Sequence, residues 1–170
     1  MATGTPDTIR PAKVADAEAI AHIYNAGIAE RVATFETHTK SPAELGELIH
    51  AGALFLVAER DAQLVAFVKV GPYDDESHYY SGIGEATLYV DPAARRAGVG
   101  RALMEAVAEA AQARGHYKLV GKIFASNAPS IALVKACGWR EVGVHRRHGR
   151  LDGEWKDVVV VERLLGDAAG

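Results

Sequence analysis

Hydrophobic and polar positions alternate along residues 83–90, and the alternation ends abruptly at Asp91-Pro92. A period of two predicts a β-strand whose side chains lie on two faces. The first face carries Glu85, Thr87 and Tyr89, and the second carries Ala86, Leu88 and Val90. From Val99 to Gly115 the apolar residues recur at helical spacing, which predicts a helix directly after the break.

Similar patterns predict six further strands and three further helices along the chain. The strands are expected at residues 8–12, 54–59, 64–70, 117–124, 139–147 and 154–164. Two of the helices should begin after Asp16 and after Ser126 or Asn127. The third should begin at Ser41, because Ser41-Pro42-Ala43-Glu44 combines a capping serine, a proline at the first helical position and a capping-box glutamate. The predicted order is β-α-α-β-β-β-α-β-α-β-β, an α/β arrangement with a mixed sheet.

The composition is typical of one globular domain. The chain has 170 residues, of which 49% are hydrophobic, and it contains no low-complexity linker. We expect a flexible arm at residues 1–7, a single domain at residues 8–165 and a short tail at residues 166–170. The net charge of −3 argues against a nucleic-acid partner. The absence of a long apolar run and of a signal-peptide pattern, together with a single cysteine, predicts a cytoplasmic protein with no membrane partner.

Two arginines and two glycines lie just before the helix that follows the break, in the run Arg95-Arg96-Ala97-Gly98-Val99-Gly100. Backbone N–H groups at a helix start have no helical partner and lie at the positive end of the helix dipole. Such a site is suited to phosphate groups. A dinucleotide fingerprint would need a third glycine at Leu103, and a phosphate-binding P-loop would need Gly-Lys-Ser/Thr, which this chain lacks. A tight turn before an ordinary helix is the remaining alternative.

The pattern Arg95-x-x-Gly98-x-Gly100 resembles the pyrophosphate loop of the GNAT acetyltransferases. The surrounding sequence, from about Ile9 to Leu165, is similar to the phosphinothricin and arsinothricin N-acetyltransferase branch. This resemblance implies the GNAT acyl-CoA N-acyltransferase fold and acetyl-CoA as the cofactor. It also implies a homodimer, although no periodic seam in the sequence requires one.

The resemblance implies a set of cofactor-binding residues in three places. The pantetheine arm should bond to the backbone of residues 88–90, and the diphosphate should bond to the loop and helix start. Asn127 and Ser130 match polar positions beside the cofactor, although they could equally be plain helix caps. The expected cofactor-binding residues are Leu88, Tyr89, Val90, Arg95, Arg96, Ala97, Gly98, Val99, Gly100, Arg101, Asn127 and Ser130.

Glu85 aligns with the proposed general base of this branch, which would remove a proton from the attacking amine. The alternative is a glutamate paired with an arginine on the sheet surface. A backbone N–H near Tyr89 is the expected donor to the thioester oxygen. Many members of the superfamily carry a tyrosine as general acid where this chain has Val134, and the phosphinothricin enzymes carry a histidine. The general acid is therefore unassigned.

The expected substrate-binding residues are Phe35, Tyr80, Thr87, Tyr89 and Lys122. The loop at residues 73–78 is acidic where the phosphinothricin enzymes place a lysine and an arginine, which weakens the case for phosphinothricin itself. Lys122 could supply a compensating cation, or it could extend into solvent.

These observations favour an enzyme that acetylates the amine of a small amino-acid-like compound, such as a toxin or herbicide to which it would confer resistance. A protein N-terminal or lysine acetyltransferase is the second hypothesis, and a non-catalytic acyl-CoA-binding module is the third. We expect no metal site, because the seven histidines form no defensible ligand spacing. In particular, His145 and His148 should lie on opposite faces of a regular strand.

Overall fold

A computed structural model describes residues 7–74 and 76–170. The strands are β1 (Thr8–Pro11), β2 (Leu54–Arg60), β3 (Gln63–Pro72), β4 (Ile83–Val90), β5 (Lys118–Phe124), β6 (Arg140–Leu151) and β7 (Glu154–Leu164). The helices are α1 (Ala17–Glu30), α2 (Pro42–His50), α3 (Val99–Ala113) and α4 (Ala128–Ala136). Short 3₁₀ turns lie at Val14–Asp16, His78–Tyr80, Pro92–Ala94 and Gly166–Ala169. The predicted order of strands and helices is confirmed.

The strands form one mixed sheet in the order β1-β2-β3-β4-β5-β7-β6. Strands β4 and β5 pair in parallel, with α3 as their crossover, and the other neighbouring strands pair antiparallel. Most of the predicted arm, residues 1–6, lies outside the described residues. Asp7, the last residue of that predicted arm, accepts two hydrogen bonds from Arg60 of β2, at 2.7 and 2.9 Å.

The sheet has a separate apolar cluster on each face. Helices α1 and α2 cover the first face, where Ile20, Leu45 and Phe67 are fully buried. Helix α3 covers the second face, where Leu103 is fully buried against the strands. The alternation predicted for β4 follows these two faces, since Tyr89 packs in the first cluster and Ala86, Leu88 and Val90 pack against the second.

The start of α2 forms as predicted, whereas the start of α1 differs. The Ser41 hydroxyl accepts a hydrogen bond from the Glu44 N–H, and the Glu44 carboxylate accepts one from the Ser41 N–H. Asp16 precedes α1 but makes no side-chain cap there. Its carboxylate instead accepts hydrogen bonds from the Lys13 N–H and from the Arg10 guanidinium, which fastens the first turn to β1.

Strand β6 is longer than predicted, because it continues through a bulge to Leu151. The pairing with β7 shifts register between His145 and Gly149, and Arg147 adopts a positive φ of 48° inside the bulge. The inserted residue changes the faces on which the neighbouring side chains lie. The expectation for the two histidines is therefore wrong, since the rings of His145 and His148 stack with their centroids 4.3 Å apart.

Candidate active site

A cleft opens where β4 and β5 separate. The two strands pair from Ile83↔Lys118 to Glu85↔Val120, and beyond that point β4 continues to Val90 and β5 to Phe124 without pairing to each other. The edge of β4 that faces β5 over residues 86–90 therefore offers backbone N–H and C=O groups that have no strand partner. Buried backbone groups of this kind need a hydrogen-bond partner. An extended ligand lying between the strands would supply it.

The cleft has a volume of about 100 Å³. Its walls combine side chains from both faces of the splayed strands with α4 and the segment after α1. The lining residues include Ala33, Glu85, Thr87, Leu88, Tyr89, Met104, Lys122, Asn127, Ser130, Leu133, Val134 and Trp139. The strand that carries Glu85 thus contributes to the same cavity as the helix that carries Asn127 and Ser130.

The start of α3 presents free backbone N–H groups. The first hydrogen bond of the helix runs from the Ala102 N–H to the Gly98 oxygen at 3.1 Å, so the N–H groups of residues 99–101 precede the helical bonding pattern. Gly98 has a φ of 84°, in the left-handed region that favours glycine. The free N–H groups and the left-handed turn at Gly98 together make the helix start suited to binding an anion.

Gly100 lies in close contact with two neighbouring elements. A Cβ atom at Gly100 would lie 3.2 Å from a methyl group of Leu133 and 3.3 Å from one of Leu88. The absence of a side chain therefore lets the first turn of α3 pack against β4 and α4.

The three arginines of the loop region are not equivalent. Arg95 makes a bidentate ion pair with Glu30 of α1, with N–O distances of 2.6 and 2.8 Å, and its Nε donates to the Val90 oxygen. The hydrogen bonds from Arg95 hold the pKa of Glu30 below its usual value. Arg101 pairs with Glu105 one turn along the helix. Arg96 is exposed and, within the described residues, has no ion pair, so it is the arginine best placed to meet a diphosphate.

The Glu85 side chain reaches the cleft and meets Lys122. The Lys122 ammonium donates a hydrogen bond to Oε2 of Glu85 at 3.1 Å, and the two side chains keep 47% and 30% of their surface exposed. The alternative to a general base was a glutamate paired with an arginine on the sheet surface. Glu85 does pair with a cation, but that cation is Lys122 and the pair lies in the cleft.

The Tyr89 ring belongs mainly to the core. It stacks on Tyr24 at 4.7 Å and on Phe67 at 5.5 Å, and only 7% of the residue is exposed. Gly27 of α1 makes room for this ring, because a Cβ atom there would lie 2.5 Å from it. Burial raises the pKa of Tyr89 to about 12, so its hydroxyl stays protonated at neutral pH.

Phe35 and Tyr80 do not line the cleft. Phe35 packs edge-on against Phe124 at 4.8 Å and covers the backbone of Gly149, so it fastens the segment after α1 to β5 and β6. Tyr80 packs edge-on against Tyr73 at 5.9 Å and is 46% exposed. Their contact with a substrate stays a prediction.

Asn127 caps α4 as one of the two alternatives expected, and contact of Asn127 and Ser130 with the cofactor stays a prediction. The Asn127 side chain accepts a hydrogen bond from the Ser130 N–H and so caps α4, and it also donates to the Val32 oxygen at 3.5 Å. Both residues line the cleft. Val134 lines it too and is buried, so the position of the usual acid offers only an apolar wall.

Trp139 is a cleft residue that the sequence gave no reason to single out. Its indole N–H is buried and, within the described part of the chain, has no hydrogen-bond partner. Because a tryptophan at a strand start normally indicates core packing, only the structure shows this unpaired donor beside Val134 and Gly121.

The family model for the acetyltransferase (GNAT) family matches residues 20–139 of this chain. The chain belongs to that family, and it is an acetyl-CoA-dependent N-acetyltransferase. The separated strands and the free amides before α3 fit the pantetheine arm and the diphosphate of acetyl-CoA.

Two relatives and two solved structures show which acetyltransferases this chain is similar to. The chain is 31% identical to a phosphinothricin N-acetyltransferase of Alcaligenes faecalis, over 93% of this chain and 82% of that protein. It is 26% identical to an L-methionine sulfoximine/L-methionine sulfone acetyltransferase of Salmonella typhimurium, over 95% and 96% of the two chains. A phosphinothricin acetyltransferase of Sinorhizobium meliloti in complex with acetyl-CoA superposes with a TM-score of 0.89, at 27% identity, over 96% and 91% of the two chains. A ribosomal-protein-alanine N-acetyltransferase of Brucella melitensis superposes with a TM-score of 0.87, at 31% identity, over 93% and 99%.

No helix within residues 7–74 and 76–170 combines the length and the apolar character needed to cross a membrane.

Proposed function

We propose that this protein transfers the acetyl group of acetyl-CoA to the α-amine of a small amino-acid-like compound, with Glu85 as the general base. The observation that carries the proposal is the position of the Glu85 carboxylate in the cleft, at the last paired position before β4 and β5 separate. An acyl thioester held between the separated strands would lie beside a carboxylate. That is the arrangement that direct transfer to an amine requires.

Each proposed residue has one chemical task. Glu85 takes a proton from the amine, directly or through a water molecule, so that the nitrogen lone pair can attack the thioester carbonyl. A backbone N–H near Tyr89 donates to the carbonyl oxygen as negative charge develops on it. The departing thiol group has an ordinary pKa near 8.5, so a thiolate can leave near neutral pH without an acid at Val134.

The proposed cofactor contacts follow the same order along the chain. The backbone of residues 88–90 bonds to the pantetheine arm, and the amides of residues 96–101 bond to the diphosphate. Arg96 supplies a charge-assisted contact to the diphosphate, whereas Arg95 positions the loop through its ion pair with Glu30. Asn127 and Ser130 border the cofactor from the start of α4.

The named substrates of the two curated relatives are small amino-acid analogues, which supports a substrate of this class for the present chain. Thr87 and Lys122 line the cleft beside Glu85 and are the proposed polar contacts. Phe35 and Tyr80 are the proposed aromatic lip over the substrate. Resistance to a toxic amino-acid analogue is the physiological role that follows from such chemistry.

A panel of amines tests the proposal. The purified protein is mixed with acetyl-CoA and with phosphinothricin, L-methionine sulfoximine, L-methionine sulfone or peptides bearing a free N-terminus, and the release of free CoA thiol is recorded. We expect turnover with at least one amino-acid analogue. Turnover with the peptides alone would favour the protein acetyltransferase, to which the Brucella melitensis structure gives some weight. Binding of acetyl-CoA without turnover on any amine would support the non-catalytic module.

We also propose a homodimer. Strand β6 lies at the edge of the sheet and exposes Val142 and Val144, which offers an unpaired edge for a second copy. Sedimentation equilibrium would measure the mass directly, and a monomer at micromolar concentration would contradict this proposal.

A further inference from the structure

Lys69 of β3 is a half-buried lysine on the same face of the sheet as Glu85. It lies directly opposite Thr87 in the antiparallel pairing, and two residues further along β4 is Glu85. Its Nζ lies 5.4 Å from the centroid of the Tyr24 ring, which stacks on Tyr89. The lysine thus lies near the proposed reaction site, with its ammonium over the Tyr24 ring.

The carboxylates whose charges act on Lys69, Glu36 and Glu85, each make an ion pair with another lysine, although Oε2 of Glu36 is buried without a hydrogen-bond partner among the described residues. Glu36 makes an ion pair with Lys40 at 3.0 Å, and Glu85 makes one with Lys122 at 3.1 Å. Among the described residues no carboxylate lies within ion-pair distance of Lys69, and its ammonium donates no hydrogen bond. Counting these five side chains, three cations face two anions, and Lys69 is the cation in excess.

A half-buried cation without a direct ion-pair partner is unfavourable, because burial removes water that would otherwise solvate it. Burial accordingly lowers the pKa of Lys69. The strand could have carried an apolar residue at this position, as it does at Phe67 and Val68. The positive charge of Lys69 at such a position indicates a ligand of opposite sign.

The position of Lys69 identifies which anion would reach it. Diagonal neighbours on adjacent strands have side chains about 7–8 Å apart, so Lys69 and Glu85 can contact two groups of one small molecule. When the amine lies at Glu85, the nearest anion of an α-amino acid is the carboxylate on the same carbon. Contact with the substrate carboxylate would explain why Lys69 lies on this face of the sheet. The loop at residues 73–78 is acidic and offers no such cation.

We infer that Lys69 binds the α-carboxylate of the amine substrate and thereby selects free α-amino acids over uncharged amines. This inference rests on the proposed function of the site. It makes Lys69 a specificity-determining residue, since it contacts the substrate away from the reacting atoms.

The test compares two substrates in three proteins. L-Methionine sulfone carries the α-carboxylate, and L-methionine sulfone amide has the same amine and side chain but no negative charge. Lys69→Met keeps the length of the side chain and removes the charge. We expect it to raise KM for the acid about ten- to a hundredfold with little change in kcat, while kcat/KM for the amide stays near the wild-type value.

Lys118→Met is the control, because Lys118 is a half-buried lysine at the start of β5 that pairs with Glu162 outside the cleft. We expect Lys118→Met to retain the preference for the acid over the amide, and Lys69→Arg to restore part of the preference lost in Lys69→Met. Equal losses on acid and amide in Lys69→Met, or no loss on either, would overturn the inference.

If the wild-type protein acetylates neither compound, the proposed function fails for this substrate class and Lys69 is tested by binding alone. Lysine side chains labelled with ¹³C-methyl groups are titrated by NMR with L-methionine sulfone in the presence of CoA, and the Lys69 signal is assigned from Lys69→Arg. A shift of that signal with the acid and none with the amide supports the inference. Identical behaviour with the two compounds overturns it.

Discussion

Lys122 donates a hydrogen bond to Glu85 across the two strands that form the cleft, with 3.1 Å between Nζ and Oε2. Glu85 is the last residue of β4 to pair with β5, and Lys122 lies on the part of β5 that has already separated. The ion pair therefore joins the two walls of the cleft at its closed end. A carboxylate placed there is available to an amine that enters the cleft.

Replacing Glu85 by glutamine tests whether this carboxylate is the base. We expect Glu85→Gln to lower kcat about a hundredfold or more while the Kd for acetyl-CoA stays unchanged, because the amide cannot accept the proton. Steady-state kinetics and calorimetry give the two quantities.

Glu162→Gln is the matched control for that variant. Glu162 pairs with Lys118 at the same 3.1 Å but lies outside the cleft, so its loss should affect stability and leave kcat unchanged. Equal kcat values in wild type and Glu85→Gln would remove Glu85 from the mechanism.

The sequence predicted those parts of the site that depend on local signals. Alternation along β4 placed Glu85 and Thr87 on one face, and the capping box at Ser41 fixed the start of α2. Gly98 could be singled out because an exposed helix start after a broken strand favours a glycine with positive φ.

Contacts between distant parts of the chain could not be predicted in the same way. The ion pair of Arg95 with Glu30, at the end of a different helix, had no signal in the sequence. Nothing in the sequence singled out Lys69 within the strand predicted at residues 64–70. Only the structure shows that Glu36 pairs with Lys40 and Glu85 with Lys122, which leaves Lys69 without an ion pair among the described residues. No single-sequence pattern encodes such pairings, because they depend on which strands become neighbours.

The packing of Gly27 against Tyr89 gives a stability prediction. The helix continues past Gly27 to Glu30, and the glycine is buried beneath the tyrosine ring. Gly27→Ala should destabilise the protein by about 1–3 kcal/mol, since the new methyl group would lie 2.5 Å from the ring and displace it. Urea denaturation measures the change.

Gly46 in α2 is the matched control for this substitution. A Cβ atom there would make ordinary contacts at 3.6 and 3.7 Å with Val14 and Ala17. Gly46→Ala should therefore stabilise the protein by about 0.5–1 kcal/mol through better helix propensity. If both alanine variants were stabilised alike, the close contact between Gly27 and Tyr89 would be disproved.

Alanine substitutions at the two ends of α3 distinguish the effect of backbone strain on stability from the effect on cofactor binding. Gly98 precedes the helix with a φ of 84°, and Gly115 follows it with a φ of 93°, and neither has a neighbour within 4 Å of an added Cβ atom. Alanine at either position should cost about 1–2 kcal/mol of stability, because both require the left-handed conformation.

Only Gly98→Ala should also weaken the binding of CoA, by about tenfold, because Gly98 orients the free amides of residues 99–101. Isothermal titration calorimetry with CoA gives the Kd of each variant. Equal affinities in the two variants would argue that the diphosphate binds elsewhere.

The ion pair between Arg10 and Asp16 predicts how stability depends on pH. Hydrogen bonds from the Arg10 guanidinium, at 2.8 and 2.9 Å, lower the pKa of Asp16, and the Lys13 N–H contributes in the same direction. A carboxylate whose pKa is lower in the folded state stabilises the fold above its unfolded value of about 3.9. That stabilisation is lost as the pH falls through the lower, folded value.

Asp16→Asn should therefore be less stable than the wild type by about 1–2 kcal/mol at pH 7, and the difference should shrink and vanish as the pH falls through the lowered pKa of the folded state. Thermal unfolding followed by circular dichroism between pH 7 and pH 2 records both values. Glu47→Gln is the control, since Glu47 is exposed on α2 and makes no ion pair within the described residues, and it should parallel the wild type at every pH. A gap between wild type and Asp16→Asn that stayed constant down to pH 2 would mean that the pair stabilises the fold through packing and not through the ionised carboxylate.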